Sequence, residues 1–435
     1  MDLPEPNASR RQFCKAALAA GGVSALSACL EQLGEEPIPQ GGDQSLPDQQ
    51  FTWNSSLEHD DHGNVVLPEH HLFLYCNYQG EVADNGGVPT ESDRETLEAA
   101  LATIERAYEW SNQGVVFDLS YSPAYFERFE ESLPESLDLP APRSLWAVED
   151  EELDEQDALL HLASDRVDAL LAIEQTLFEG GEELNGVAVE GQLGEVFTIA
   201  DRRTGFVGPG LPAEKQGDLS GIPDDGPVPE ASPLFMGFKA GFAGNQATEE
   251  YVTIESGPFA GGTTKQVSTI RQSLDKWFDE NDHDRMVERM FSPLLAEERA
   301  VEGVGENLGD HSGITAEIYE QIQQTAQSRG LVGHAEKAAR ANRDNEGNVL
   351  LLRRHVESTD NERASLHFAT LQREISHFEA VREAMNASDL QAGTAVQDRR
   401  NNGILRYLFT ESRGNFLIPP RSLRAFPTPQ GGDVA

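Results

Sequence analysis

Ala158-Leu159-Leu160-His161-Leu162-Ala163, followed by Asp165 and then by Val167, Leu170, Leu171, Glu174 and Leu177, reads as a strand running straight into a helix. A short, almost wholly apolar run has the length and composition of a buried strand. The residues after Asp165 recur at the three- and four-residue spacing of one helix face, and Asp165 stands where a cap is needed. Working outward, Leu72-Phe73-Leu74-Tyr75-Cys76 reads as a strand, and Ser92-x-x-Glu95 as a capping box. Leu97, Ala100, Leu101, Ile104 and Tyr108 then line one side of a helix, and Val115 to Tyr121 returns to strand. Val196-Phe197-Thr198-Ile199 closes the set. The order strand, helix, strand, strand, helix, strand predicts a ferredoxin-like unit.

The second half repeats the theme. Tyr251 to Ile254 and Val267 to Leu274 read as strands, and Trp277 to Phe291 and Ile314 to Ser328 as helices. Leu366 to Leu371 reads as a strand, Glu374 to Met385 as an amphipathic helix, and Phe416-Leu417-Ile418 as a last strand stopped by Pro419-Pro420. The expected class is α+β, two ferredoxin-like domains packed sheet to sheet in the dimeric α/β-barrel manner. The expected boundaries are 1–29 for an export signal, 30–52 for a flexible tether and 53–210 for the N-terminal domain. A linker or insertion over 211–249, a C-terminal domain over 250–427 and a tail over 428–435 complete the chain.

Composition narrows the function. Asp and Glu number 75 against 33 Lys and Arg, a formal net charge of -42 spread along all 435 residues. Such dispersed acid is the solvation of a halophilic protein, since concentrated salt screens the self-repulsion. No basic footprint exists for nucleic acid. Cys14, Cys29 and Cys76 are too few for a disulfide framework or a cysteine-rich zinc site once the signal is removed. Cys76 reads as a small packed hydrophobe.

Ser9-Arg10-Arg11-Gln12-Phe13-Cys14-Lys15 matches a twin-arginine export signal, with an apolar stretch over Ala16 to Ala28 too short to span a membrane. Leu26-Ser27-Ala28-Cys29 has the form of a lipobox, which predicts lipidation of Cys29 and anchoring at the outer face of the cytoplasmic membrane. Residues 31–50, rich in Pro, Gly, Glu and Gln, read as the tether. Trp53 to His71, with His59, His62, His70 and His71, reads as a polar loop, a metal cluster being the competing reading.

Chemistry concentrates in Gly333-His334-Ala335-Glu336-Lys337 and in Val349-Leu350-Leu351-Leu352-Arg353-Arg354. A neutral imidazole is an axial ligand for heme iron, and a guanidinium is a permanent donor for a propionate or a bound peroxide. Several segments, in order, resemble the dye-decolourising peroxidase family and its exported deferrochelatase-like branch. They are the twin-arginine start, Val115 to Arg128, Thr204-Gly205-Phe206-Val207, Gly257 to Thr263, Ile270-Arg271 with Trp277, His334, Arg353, and Leu366 to Met385. The likeness covers most of residues 70–427.

The resemblance implies heme b ligated by His334, with Arg353 as distal arginine and Arg354 as a swap for it. It also implies that Gly205, Phe206, Val207 and Gly208 shape the distal face. It further implies hydrogen peroxide and a small organic reductant as substrates, or heme and iron as cargo. A homo-oligomer stays open, and the membrane contact is by lipid anchor only. One departure stands out. Gly208 occupies the place of the family's aspartate, and neither it nor Pro209 can carry a proton between peroxide oxygens. Asp201 and Asp218 flank the loop. The expected function is an exported heme protein with weak peroxidase activity. The alternative is a non-enzymatic, cofactor-free surface lipoprotein on the same fold, and His355, His367 and His377 read as satisfied core or surface residues.

Overall fold

The computed structural model describes residues 37–80, 87–147, 149 and 151–432. Arg10, Arg11 and Cys29 lie outside the described residues, as does the side chain of Asp218.

Eight strands form one closed barrel: β1 (His70–Tyr78), β2 (Val116–Tyr121), β3 (Ala158–Ser164), β4 (Phe197–Phe206), β5 (Thr263–Gln272), β6 (Val356–Ser358), β7 (Ser365–Gln372) and β8 (Leu408–Ile418). Around the barrel the order is β4-β1-β3-β2-β8-β5-β7-β6, and β6 pairs back onto β4. Every one of these ladders is antiparallel. Each half of the chain sets its last, first, third and second strands side by side, so the halves repeat one arrangement. The two seams are thin. Leu417 opposite Tyr121 joins β8 to β2, and Glu357 opposite Phe206 joins β6 to β4. The sheets thus meet edge to edge, which removes the free edges an open sheet would present.

Helices cover the outside. In the first half these are α1 (Glu91–Ala107) and α2 (Val167–Glu179), which bury Leu97, Leu101, Ile104, Leu170 and Ile173 against Leu72 and Leu74 of β1. In the second half α3 (His334–Ala341) and α4 (Ile375–Ala384) lie over the outer face of β5 and β7. Among the described residues no helix is long and apolar enough to cross a membrane.

Several expected details differ. The capping box of α1 is Thr90 with Asp93, two residues earlier than Ser92 with Glu95. Thr90 Oγ1 accepts from the Asp93 amide, and the Asp93 carboxylate accepts from the Thr90 amide. Thr90→Ala is expected to cost about 1 kcal/mol in a denaturant titration, since one first-turn amide loses its acceptor. Asp165 does not cap α2. Its carboxylate instead accepts from the Glu69 amide and the Gln113 side chain, holding the start of β1. Tyr251 to Ile254 begins in a short helix, Glu249–Val252, because Thr248 caps it by accepting from the Tyr251 amide. The helix expected over Trp277 to Phe291 is two. Asp282 restarts the chain as an N-cap, accepting from the Arg285 amide. The helix expected over Ile314 to Ser328 also divides, at Gln321.

Alternation places two kinds of residue inside the barrel. Phe73, Tyr75, Leu159, Val267, Val356 and Phe416 form an apolar layer. Beside it runs a buried polar file. His71 Nε2 bonds the Pro68 carbonyl at 3.0 Å, and His71 Nδ1 bonds His161 Nε2 at 2.9 Å. His161 Nδ1 then meets Lys265 Nζ at 3.3 Å, and Lys265 pairs with Asp118 at 2.5 Å. The carbonyl can only accept, so His71 carries its proton on Nε2 and His161 on Nε2 in turn. Both rings are then neutral, which agrees with burial pushing His71 down to about 3 and His161 well below the usual imidazole range. His71 is thus part of the barrel interior and not of a loop.

Candidate functional site

Between the outer face of the second half-barrel and helices α3 and α4 lies a cavity of about 990 Å³, at the upper end of the size usual for ligand pockets. Its apolar walls are Ile270, Leu366 and Phe368 from the sheet and Ala335, Ala338 and Ala339 from α3. The three alanines keep the helix side low, which leaves room for a flat group.

His334 is the first residue of α3 and lines this cavity. Its position is set by backbone crowding. Gly333 caps the helix, and a Cβ there would lie 2.1 Å from the Phe291 carbonyl oxygen. Gly403 sits against the His334 backbone at a φ of 58°, where a Cβ would meet His334 N at 3.0 Å. Space requires glycine at 333, and tight space with a left-handed backbone favours it at 403. One turn on, buried Lys337 donates to the Met385 carbonyl and to Asn402, fastening α3 to the chain beyond α4. The Glu336 carboxylate accepts from the Gly333 amide. Burial, reinforced by the charges of Lys337 and Arg353, pushes His334 down to about 3, so the ring is neutral and Nδ1 is buried without a hydrogen-bond partner.

A further part of the lining comes from the stretch Arg353-Arg354-His355-Val356-Glu357. Arg353, His355 and Glu357 all line the cavity, as residues two apart on an extended chain must. Arg354 and Val356 point the other way. Arg354 stacks over the Trp53 ring at 4.2 Å and pairs with Glu249 at 2.8 Å, and Val356 joins the barrel layer. Arg353 is held only by neutral acceptors, the Gln246 side chain at 3.2 Å and the Asn245 carbonyl at 3.3 Å. Among the described residues no carboxylate lies within 4.0 Å of it, and burial pulls it down to about 10. A half-buried guanidinium without a counter-charge is costly, and an anion in the cavity would offset that cost.

The cavity is also out of character with the chain. Nine arginines and Lys239 line it, against six carboxylates, in a molecule with 33 basic and 75 acidic residues. At one end Arg399 lies 4.3 Å over the Phe409 ring and 5.6 Å over Trp146, bonded only to backbone carbonyls among the described residues. The lining therefore suits a flat, largely apolar ligand carrying negative charge.

The other expected residues fall elsewhere. Gly205, Phe206, Val207 and Gly208 do not line the cavity. β4 continues through Phe206, so half of that segment is ladder, not loop. Gly205 is pressed against Val356, where a Cβ would stand 2.3 Å from Cγ2. Val207 packs on the barrel layer, and Gly208 takes a φ of 136° while its amide donates to the Pro233 carbonyl. Asp201 reaches the cavity rim and is bound by Arg203 at 2.7 Å. His367 bonds Thr269 Oγ1 at 3.2 Å, and His377 lies 3.7 Å from Glu374. His355 and Glu357 are functional candidates that sequence reasoning passed over. The signal available was the polar alternation at 353, 355 and 357.

Residues 68–420 match the model of a family of unknown function (DUF7405). Among solved structures, a heme complex of a DypB variant from Rhodococcus jostii RHA1 superposes with a TM-score of 0.50. It is 13% identical, over 87% of this chain and 99% of that one. DyPB from the same organism in a second crystal form gives 0.50 at 12% identity, over 83% and 96%. A dye-decolorizing protein from V. cholerae gives 0.47 at 15% identity, over 86% and 98%. No curated protein matches. At such identities the likeness is one of fold. The chain belongs to the DUF7405 family of unknown function, and it has the fold of the dye-decolorizing peroxidases.

Proposed function

We propose that this chain is an exported heme-binding protein of the peroxidase type, holding heme b in the cavity between α3 and the second half-barrel. One observation carries the proposal: a neutral His334, its Nδ1 unpartnered, lines a cation-rich cavity that Arg353 also lines without a carboxylate beside it. A neutral imidazole is what iron requires, and the arginines suit propionates. The residues present therefore fit the group. His334 would hold the iron, the alanines of α3 and Ile270, Leu366 and Phe368 would contact the ring, and the basic end near Arg399 would take the carboxylates. Bound heme would supply the redox centre for reducing peroxide and oxidising small organic donors. The chain's own part is to exclude water, to orient the ligand against Arg353 and to stabilise negative charge there.

We further infer that each half is a ferredoxin-like unit, supported by the repeated strand order. Export through Arg10 and Arg11 and lipidation of Cys29 would set the protein on the outer face of the cytoplasmic membrane. Heme and iron handling is the second reading, and the lining favours it, since the Gly205–Gly208 segment brings no carboxylate to the cavity. Titration of the purified protein with heme tests the proposal. A saturable Soret band at one heme per chain is expected. A featureless titration contradicts it and leaves a cofactor-free lipoprotein.

A further inference from the structure

We propose that His355 is the acid/base residue of this cavity, taking the proton from a small protic ligand that lies against Arg353. The inference rests on the heme reading above and deepens it.

His355 stands between Arg353 and Glu357 on one side of the same extended stretch, with the Phe368 ring 5.9 Å away. It is half-buried, lines the cavity, and its buried Nδ1 has no hydrogen-bond partner. The other acids and bases at hand are engaged. Glu357 accepts from the Phe235 amide at 3.0 Å with one oxygen and from the Gln272 amide group with the other. Asp360 is taken by Thr204, and Glu411 by Arg271 and Arg363. Glu149 is bound by Arg382 and Arg413, and Asp201 by Arg203. Glu152 is exposed. His367 bonds Thr269 Oγ1 through Nδ1, and its Nε2 lies 3.6 Å from the Asp360 carboxylate. Among the described lining residues, His334 and His355 are thus the imidazoles with a buried nitrogen that has neither a hydrogen bond nor a carboxylate beside it, and His334 is assigned to the iron.

The step moves one proton and no electrons. A neutral ligand H–X enters, its H–X bond breaks, the proton goes to an imidazole nitrogen, and X⁻ remains against the Arg353 guanidinium. Each charge appears beside its partner. The imidazolium, costly alone in a buried site, forms together with the anion that stabilises it. For hydrogen peroxide the same ring can return the proton to the second oxygen. Burial holds the resting ring neutral, pushed down to about 3, so it enters the step in its basic form.

The test uses the full chain loaded with heme and hydrogen cyanide as the probe, because cyanide enters protonated and binds as the anion. Association is followed by the shift of the Soret band, with no turnover involved. His355→Leu is expected to bind heme with an unchanged spectrum and to slow cyanide association on the order of 10²-fold or more. His355→Gln, which keeps a polar side chain but no base near neutral pH, is expected to do the same and serves if the leucine variant does not fold. A wild-type association rate in either heme-loaded variant overturns the proposal while leaving heme binding intact. A wild-type chain with no Soret band overturns both readings together.

Discussion

His334→Ala is expected to abolish heme uptake. Loss of a residue that merely orients a metal ligand commonly weakens metal affinity by about 10- to 100-fold, so loss of the ligand itself should cost at least about 10²-fold. The variant should still fold. Alanine is a strong helix former at an early helical position. The crowding of Gly333 against Phe291 and of Gly403 against the 334 backbone does not involve the imidazole. The Lys337 bonds to Met385 and Asn402 also survive. Removing a half-buried ring whose Nδ1 is buried and unpartnered even relieves a polar burial cost. The expected result is a normal circular-dichroism spectrum with no Soret band on heme titration. A band of wild-type intensity would move the ligand elsewhere, and His355, across the cavity, would be the first residue to examine.

The second large effect concerns the barrel and not the site. Lys265→Met is expected to destabilise the protein by about 3–5 kcal/mol, because it leaves Asp118 buried without its cation. The lysine and the aspartate are both fully buried, with 2.5 Å between Nζ and Oδ1. Burial pushes Asp118 up and Lys265 down from their usual ranges, so each already bears a desolvation cost that the pair offsets. The same substitution takes from His161 Nδ1 its only hydrogen-bond donor. Asp118→Leu combined with Lys265→Met should recover most of the loss, since replacing both partners with apolar groups is often neutral. Urea midpoints for the two single variants and the double variant measure this. A double variant no more stable than Lys265→Met would show that the pair is not the source of the effect.

Much of this fold was legible, and the reasons differ by element. β2 and β3 are short runs of mostly strand-forming residues buried on both faces, so composition and length sufficed. α1 and α2 carry clean helical stripes. The misreadings come from local chemistry outranking composition. Tyr251-Val252-Thr253-Ile254 has every mark of a strand, yet one hydroxyl at Thr248 starts a helix there. Gly205-Phe206-Val207-Gly208 has the punctuation of a loop, yet Gly205 is there because the ladder to β6 leaves no space for a side chain. Asp165 reads as a cap but is spent on holding the Glu69 amide.

The site divides in the same way. His334 and Arg353 fall in one cavity because a helix start and an extended stretch both reach its lining, and both were visible as isolated polar residues beside apolar runs. His355 was not, since a lone histidine after two arginines reads as surface. Only the strand alternation, with Arg354 and Val356 turned into the barrel, sets it beside Arg353. The cation excess was invisible in a chain of net charge -42. Its arginines come from segments scattered between Arg202 and Arg413, and only folding gathers them.

A crystal structure of the heme-loaded chain tests the central claim most directly. The iron should be bonded to an imidazole nitrogen of His334, with the porphyrin lying between α3 and the wall that carries Arg353 and His355. Iron ligated by any other residue, or a porphyrin seated outside that cavity, would contradict the account.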